Sequence, residues 1–200
     1  MVVIGLAGGI GSGKSEVARI LTEMGAVVLD ADRMGHQVYA PNTQGWREVV
    51  AAFGEDVLDP NGEVDRRKLG AKVFGNPQEM EKLNAIAWPK IRQSLQHGIE
   101  DQKRAGARVV VMDAAILIEA GWADLGDEVW VTTAPEEQVV KRLQVRNNLT
   151  EEQVRARIAS QMPVEEKVKH ADVVVENDQD LEALRQKVEK LWEQRLAGRN

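Results

Sequence analysis

The stretch Gly8-Gly9-Ile10-Gly11-Ser12-Gly13-Lys14-Ser15 constrains this chain more than any other. It fits the pattern G-x-x-x-x-G-K-[ST], and its flanks agree with it. Val2 to Ala7 is a short apolar run with β-branched residues that reads as a buried strand. After Ser15, the residues Val17, Ile20, Leu21 and Met24 recur at helical spacing. A strand, a glycine loop and a helix N-terminus together read as a phosphate-binding loop. Glycine opens backbone conformations closed to other residues, so successive N–H groups can point at one anion. The helix adds N–H groups without intrahelical partners and the positive end of its dipole. Lys14 is expected on the β- and γ-phosphates and Ser15 on Mg²⁺. Gly8, Gly9, Gly11, Ser12, Gly13 and Glu16 complete the expected ATP-binding stretch. The competing reading is a glycine-rich turn that merely joins strand to helix. The motif alone leaves hydrolysis, phosphoryl transfer and switching all open.

The rest of the chain supplies a frame for such a loop. Further apolar runs at 26–30, 108–113, 128–132 and 172–176 read as strands, each followed by helical patterning. Five apolar strands alternating with helices predict an α/β fold with a parallel sheet covered on both faces. Residues 42–105 carry helical signals only, which is too long for a simple crossover. Within them, Thr43 and Asp65 read as helix caps, Asp59-Pro60-Asn61-Gly62 as a turn, and Pro89 as an interruption. Thr133 with Glu136 and Thr150 with Gln153 read as capping boxes. Ligands of such sheets collect at the carboxyl ends of the strands. Asp30 and Asp32, Asp113, and Asn177 fall at or just past the ends of strands two, three and five.

Composition narrows the function. Net charge is −6, which disfavours a wholesale nucleic-acid or membrane-surface binder. With no cysteine there is no disulfide framework, thiolate metal site or cysteine nucleophile. No apolar run approaches a membrane span and no basic secretory leader opens the chain, so a cytoplasmic location is expected. No protein partner is implied. The histidines at 36, 97 and 170 have no metal-ligand spacing.

Four groups of residues carry candidate chemistry. Asp30 and Asp32 are two apart, so either can accept the proton of an attacking hydroxyl, or cap the helix that follows. Asp113 after four apolar residues resembles a Walker-B carboxylate for Mg²⁺, direct or through water, but equally suits a strand-end cap. Lys141, Arg142, Arg146, Arg155 and Arg157 form a basic run that reads as a solvated helix face or as a lid closing over the nucleotide. Trp88 and Trp122 are candidates to line a pocket for a base, core packing being the alternative.

Taken together these stretches resemble the dephospho-CoA kinase family over nearly the whole chain. Gly8 to Ser15 is similar to the family's T-G-G-I-G-S-G-K-[ST], with Ala7 in place of the threonine. Val28 to Asp32 matches V-D-A-D, whose second aspartate, the family's proposed base, falls on Asp32. The segments Phe53-Gly54 and Gly62 to Phe74 resemble the CoA-binding helical block. Asp113 to Glu119 resembles D-x-P-L-L-F-E, and Arg142, Arg146, Arg157 and Gln161 the lid. Lys167, Ala171-Asp172 and Asn177 match the closing pattern and put Asn177 near the adenine. Trp88 replaces a frequent histidine, Ala115 a proline, and Asp178-Gln179 a small residue and glycine.

The resemblance implies a P-loop kinase core of residues 1–41, 106–134 and 171–200, a helical CoA-substrate domain at 42–105 and a lid at 135–170. It implies ATP and Mg²⁺ as cofactors and phosphorylation of the 3′-hydroxyl of dephospho-CoA. Asp32, Lys14 and Arg142 would be catalytic, with Arg142, Arg146 and Asn177 on ATP. Asp32, Asp65, Arg66, Leu117 and Glu119 would contact the acceptor. Another small-molecule kinase, for a nucleoside, nucleotide or sugar acid, is the alternative. A GTPase is disfavoured by the lack of N-K-x-D, and a motor ATPase by Ala114 after Asp113.

Overall fold

The computed structural model describes residues 1–196; positions 197–200, the end of the segment assigned to the core, lie outside the described residues. In chain order the elements are β1 (Val2–Gly8), α1 (Lys14–Glu23), β2 (Val27–Asp30), α2 (Ala31–Val38), α3 (Gln44–Phe53), α4 (Arg66–Val73) and α5 (Pro77–Arg104). There follow β3 (Val109–Asp113), β4 (Glu128–Thr133), α6 (Glu136–Asn147), α7 (Glu151–Ala159), α8 (Val164–Val168), β5 (Val173–Glu176) and α9 (Leu181–Arg195). All five strands are parallel, in the order β2-β3-β1-β4-β5. The phosphate-loop strand is therefore central, and both faces of β1 are buried as its apolar run requires.

Two compact units make up the chain, residues 1–30 with 98–196 and residues 31–97. In the first, Ile4, Leu6, Val109, Val111, Trp130 and Val175 face Val17, Ile20 and Leu21 of α1 and Leu184 and Val188 of α9. Across the sheet, α8 packs on β1 and β4, and Leu117 fills the space left by the missing side chain of Gly5. Asp172 accepts the Val129 amide at 2.8 Å, fixing where β5 joins β4. The second unit has its own core of Val49, Phe53, Val57, Leu69 and Val73, packed with Leu83 and Ile86. None of the helices among the described residues is long and apolar enough to cross a membrane.

The local signals hold in most places. Thr43 accepts the Trp46 amide, Asp65 accepts those of Arg67 and Lys68, and Thr150 with Gln153 closes a reciprocal capping box. In the predicted turn, Asp59 Oδ1 accepts the amides of Asn61 and Glu63, both at 2.9 Å.

Two expectations are corrected. Thr133 does not cap α6: it stays in β4, pairs with Glu176 and accepts the Asn177 amide at 2.8 Å, so Pro135 precedes the helix without a side-chain cap. Pro89 does not interrupt α5, which is continuous from Pro77 to Arg104. An interior proline forfeits one bond and crowds the carbonyl four residues back, at about 3 kcal/mol. Here Leu83 and Ile86 before it are held by the helical core, Ile91 and Leu95 after it are buried, and Lys90 Nζ reaches the Ile86 carbonyl at 3.2 Å. Trp122, only 1% exposed, is core packing rather than a pocket wall.

Candidate active site

Gly8 ends β1, and the loop from Gly9 delivers the chain into α1 at Lys14. Close packing dictates the first glycine: a Cβ there would lie 2.7 Å from Ser12 Oγ and 2.9 Å from the Thr132 carbonyl. Gly13 caps α1 in the left-handed region, at φ 99°, where a side chain is strained. It also has no room for one, because a Cβ would fall 2.1 Å from Asn177 Nδ2. Lys14 and Ser15 follow as the first residues of α1, whose opening amides have no partner within the helix. Glu16 comes next. Its hydrogen bond from Arg19 holds its carboxyl below the usual range.

The loop is gripped from three sides within its own unit. Asn177, 5% exposed and just past β5, donates from Nδ2 to the Ser12 carbonyl at 2.8 Å. Arg142 on α6 donates to the Asn177 carbonyl and Oδ1, both at 3.3 Å, to Gln138 Oε1 at 3.0 Å, and to the Gly11 carbonyl at 3.5 Å. Gln161, past the end of α7, accepts the Ile10 amide at 2.8 Å. Lys14 pairs with Asp113 at the end of β3, both side chains being mostly buried. Asp30 lies level with Asp113 across the β2–β3 register. A cavity of about 670 Å³ separates part of the loop from α7, lined by Gly9, Ile10, Val139, Ile158 and Met162.

Beyond Asp113 the chain turns through residues 114–121. Leu117 is buried, and Glu119 pairs with Lys167 of α8 at 2.8 Å. Among the described residues, three buried side-chain oxygens have no hydrogen-bond partner: Ser12 Oγ, Thr132 Oγ1 and Glu119 Oε2. Two flank Gly8 and the third belongs to the segment after β3. Buried polar atoms are rarely left so, and functional sites are where exceptions gather.

Lys14, Asp113, Arg142 and Asn177 thus come together as one connected arrangement. Arg146 does not join it; its guanidinium is exposed and bonds Asn147 Oδ1 at 3.1 Å. In the helical unit, Asp32 lies in the first turn of α2, while Asp65 and Arg66 are the cap and first residue of α4. Sequence reasoning missed Gln138, which the four-residue spacing to Arg142 on a helix could have suggested. It placed Gln161 in the lid pattern and Lys167 in the closing pattern, without foreseeing that Gln161 accepts the Ile10 amide or that Lys167 is fully buried.

The geometry has clear relatives. The family model described as dephospho-CoA kinase matches residues 2–183. A dephospho-CoA kinase of Geobacter sulfurreducens is 43% identical over 98% of this chain and 100% of its own length. A solved Thermus thermophilus structure superposes with a TM-score of 0.81 at 34% identity, covering 97% of both chains. The dephospho-CoA kinase of Campylobacter jejuni gives a TM-score of 0.74 at 27% identity over 98% of both. A glycine loop gripped by Asn177 and Arg142, on a five-stranded parallel sheet matched from end to end by these relatives, leads to one conclusion: the chain belongs to the dephospho-CoA kinase family.

Proposed function

We propose that the chain transfers the γ-phosphoryl group of ATP to the 3′-hydroxyl of the dephospho-CoA ribose, giving coenzyme A and ADP, the final step of coenzyme A synthesis. The observation that carries phosphoryl transfer is the Lys14–Asp113 pair at the mouth of the glycine loop; membership of the family carries the acceptor.

In this reading the loop amides, the α1 dipole and Lys14 hold the β- and γ-phosphates. Lys14 exchanges its carboxylate partner for phosphate oxygen as it does so. Arg142, already fixed by Gln138 and Asn177, adds positive charge where the transferring group becomes electron-rich. Asn177, tied to Ser12, borders the adenine. Asp32 orients the acceptor hydroxyl and takes its proton as the oxygen–phosphorus bond forms and the bond to ADP breaks. A carboxylate is a weak base at neutral pH, which a loose transition state tolerates. Residues 42–105 hold the CoA portion, with Asp65, Arg66, Leu117 and Glu119 on the acceptor. Residues 135–170, with Arg146, form a lid that keeps water from taking the phosphoryl group.

The donor set suits Mg²⁺. Ser15 and Asp113 offer hard oxygen ligands, and among the described residues no cluster of three or more His, Cys, Asp or Glu could hold a metal alone. That is the pattern of a cation that keeps waters and leans on substrate phosphates. Bound there, Mg²⁺ supplies neutralising charge to the phosphates.

Incubation with ATP, MgCl₂ and dephospho-CoA, alongside adenosine, nucleoside monophosphates and gluconate, followed by mass analysis, tests the assignment. Phosphate is expected on dephospho-CoA alone. Asp32→Asn should lower kcat by about 10²- to 10⁴-fold with little change in either KM. Transfer to another acceptor, or ADP without a phosphorylated product, would overturn the reading.

A further inference from the structure

Lys167 is fully buried on the five-residue helix α8. Its ammonium donates to Glu119 Oε1 and to the Ala115 carbonyl, both at 2.8 Å. A charge taken out of water needs such acceptors, and both belong to one short segment. Ala115 lies two residues past Asp113, the partner of Lys14, and Glu119 lies four residues further on. Lys167 therefore ties down both ends of the turn that begins at Asp113. Six residues before it, Gln161 accepts the Ile10 amide, so the 161–167 stretch touches the phosphate loop at one end and this turn at the other.

The pair also divides the Glu119 carboxylate. Oε1 is engaged by the ammonium, whereas Oε2 is buried without a hydrogen-bond partner. Desolvating a carboxylate oxygen is costly unless a donor meets it. Holding Oε1 fixes the rotamer, and with it the one direction in which Oε2 can accept.

We propose that Lys167 is a positioning residue for the acceptor: it sets Glu119 so that Oε2, covered by protein in this conformation, receives a hydrogen bond from dephospho-CoA when acceptor binding uncovers it, and it secures the turn after Asp113. The proposal rests on the reading of Glu119 as an acceptor contact. Lys167 itself touches no reacting atom.

Steady-state kinetics of the wild type, Lys167→Met, Glu119→Gln and the double variant test this, with KM measured separately for each substrate. Each variant should raise KM for dephospho-CoA about 10- to 100-fold, the worth of a hydrogen bond to a charged group, and leave KM for ATP within about two-fold. The double variant should match Glu119→Gln alone, because Lys167 acts through that carboxylate. Should Lys167→Met fail to fold, the comparison of Glu119→Gln with the double variant still decides, since removing both charges of a buried pair is better tolerated than removing one. A further multiplicative loss in the double variant would overturn the proposal. So would a Lys167→Met protein with a lowered Tm and unchanged KM values, which would make the pair purely structural. If Glu119→Gln leaves KM for dephospho-CoA unchanged, the acceptor reading of Glu119 fails first and takes the proposal with it.

Discussion

At the scale of single residues, the nucleotide site depends on side chains that are missing as much as on those present. Gly13 combines a left-handed backbone with an Asn177 amide that already occupies the place of a Cβ. Gly13→Ala therefore meets two separate penalties, backbone strain and displacement of Asn177 from the Ser12 carbonyl. We expect it to raise KM for ATP at least about ten-fold, since strain alone costs about 1–2 kcal/mol. Adding Asn177→Ala should relieve only the steric part, so the double variant should fall short of the product of the single effects. Measured KM values for ATP in the four proteins check this; fully multiplicative losses would mean that the two residues do not meet.

At the scale of elements, each helix start reports whether a local signal survived its tertiary setting. Asp65 is the clearest survivor. Hydrogen bonds from the Lys68 and Arg67 amides hold its carboxyl below the usual range. Its folded pKa is thus depressed, so its contribution is complete above the unfolded value near 4 and is lost as pH falls through the lower folded value. Asp65→Ala should lower Tm by about 2–4 °C at pH 7, and the deficit should shrink as pH drops below about 4. Thermal melts across that range check the sign; a deficit that grew on acidification would contradict the capping role. Asp65, Thr43 and the Thr150–Gln153 box were legible because each rule spans only a few residues of chain. The same rule failed at Thr133, where pairing with β5 claimed the residue for the sheet. It failed again at Pro89, where burial on both sides outweighed a proline's preference. The contacts that grip the phosphate loop were least legible, since Gln161 meets Ile10 across 151 positions and Asn177 meets Ser12 across 165. Nothing in the letters around Lys167 marks it as fully buried, because the packing of α8 on β1 and β4 and the cover of the 115–119 segment bring together residues far apart in the chain.

At the scale of the whole molecule, the two units carry different halves of the proposed chemistry. The proposed nucleotide contacts Gly8 to Ser15, Asp113, Arg142 and Asn177 all belong to the sheet unit. Asp32, Asp65 and Arg66 belong to the helical unit, while Leu117 and Glu119, also proposed to contact the acceptor, belong to the sheet unit. Each substrate should therefore leave its own footprint in amide hydrogen exchange, because a ligand slows exchange where it holds the backbone closed. A non-transferable ATP analogue with Mg²⁺ should protect amides from Gly9 to Glu16 and around Asn177. Dephospho-CoA alone should protect the first turns of α2 and α4 together with residues 114–121. The two added together should also slow exchange in α7 and the 160–165 connection, because Gln161 links that stretch to the loop and closure over the cavity beside α7 would shield it. Protection by dephospho-CoA confined to the sheet unit would remove residues 31–97 from the acceptor site. Protection of α7 by the nucleotide alone would mean that the lid responds to ATP without waiting for the acceptor, and exclusion of water would then have to depend on another step.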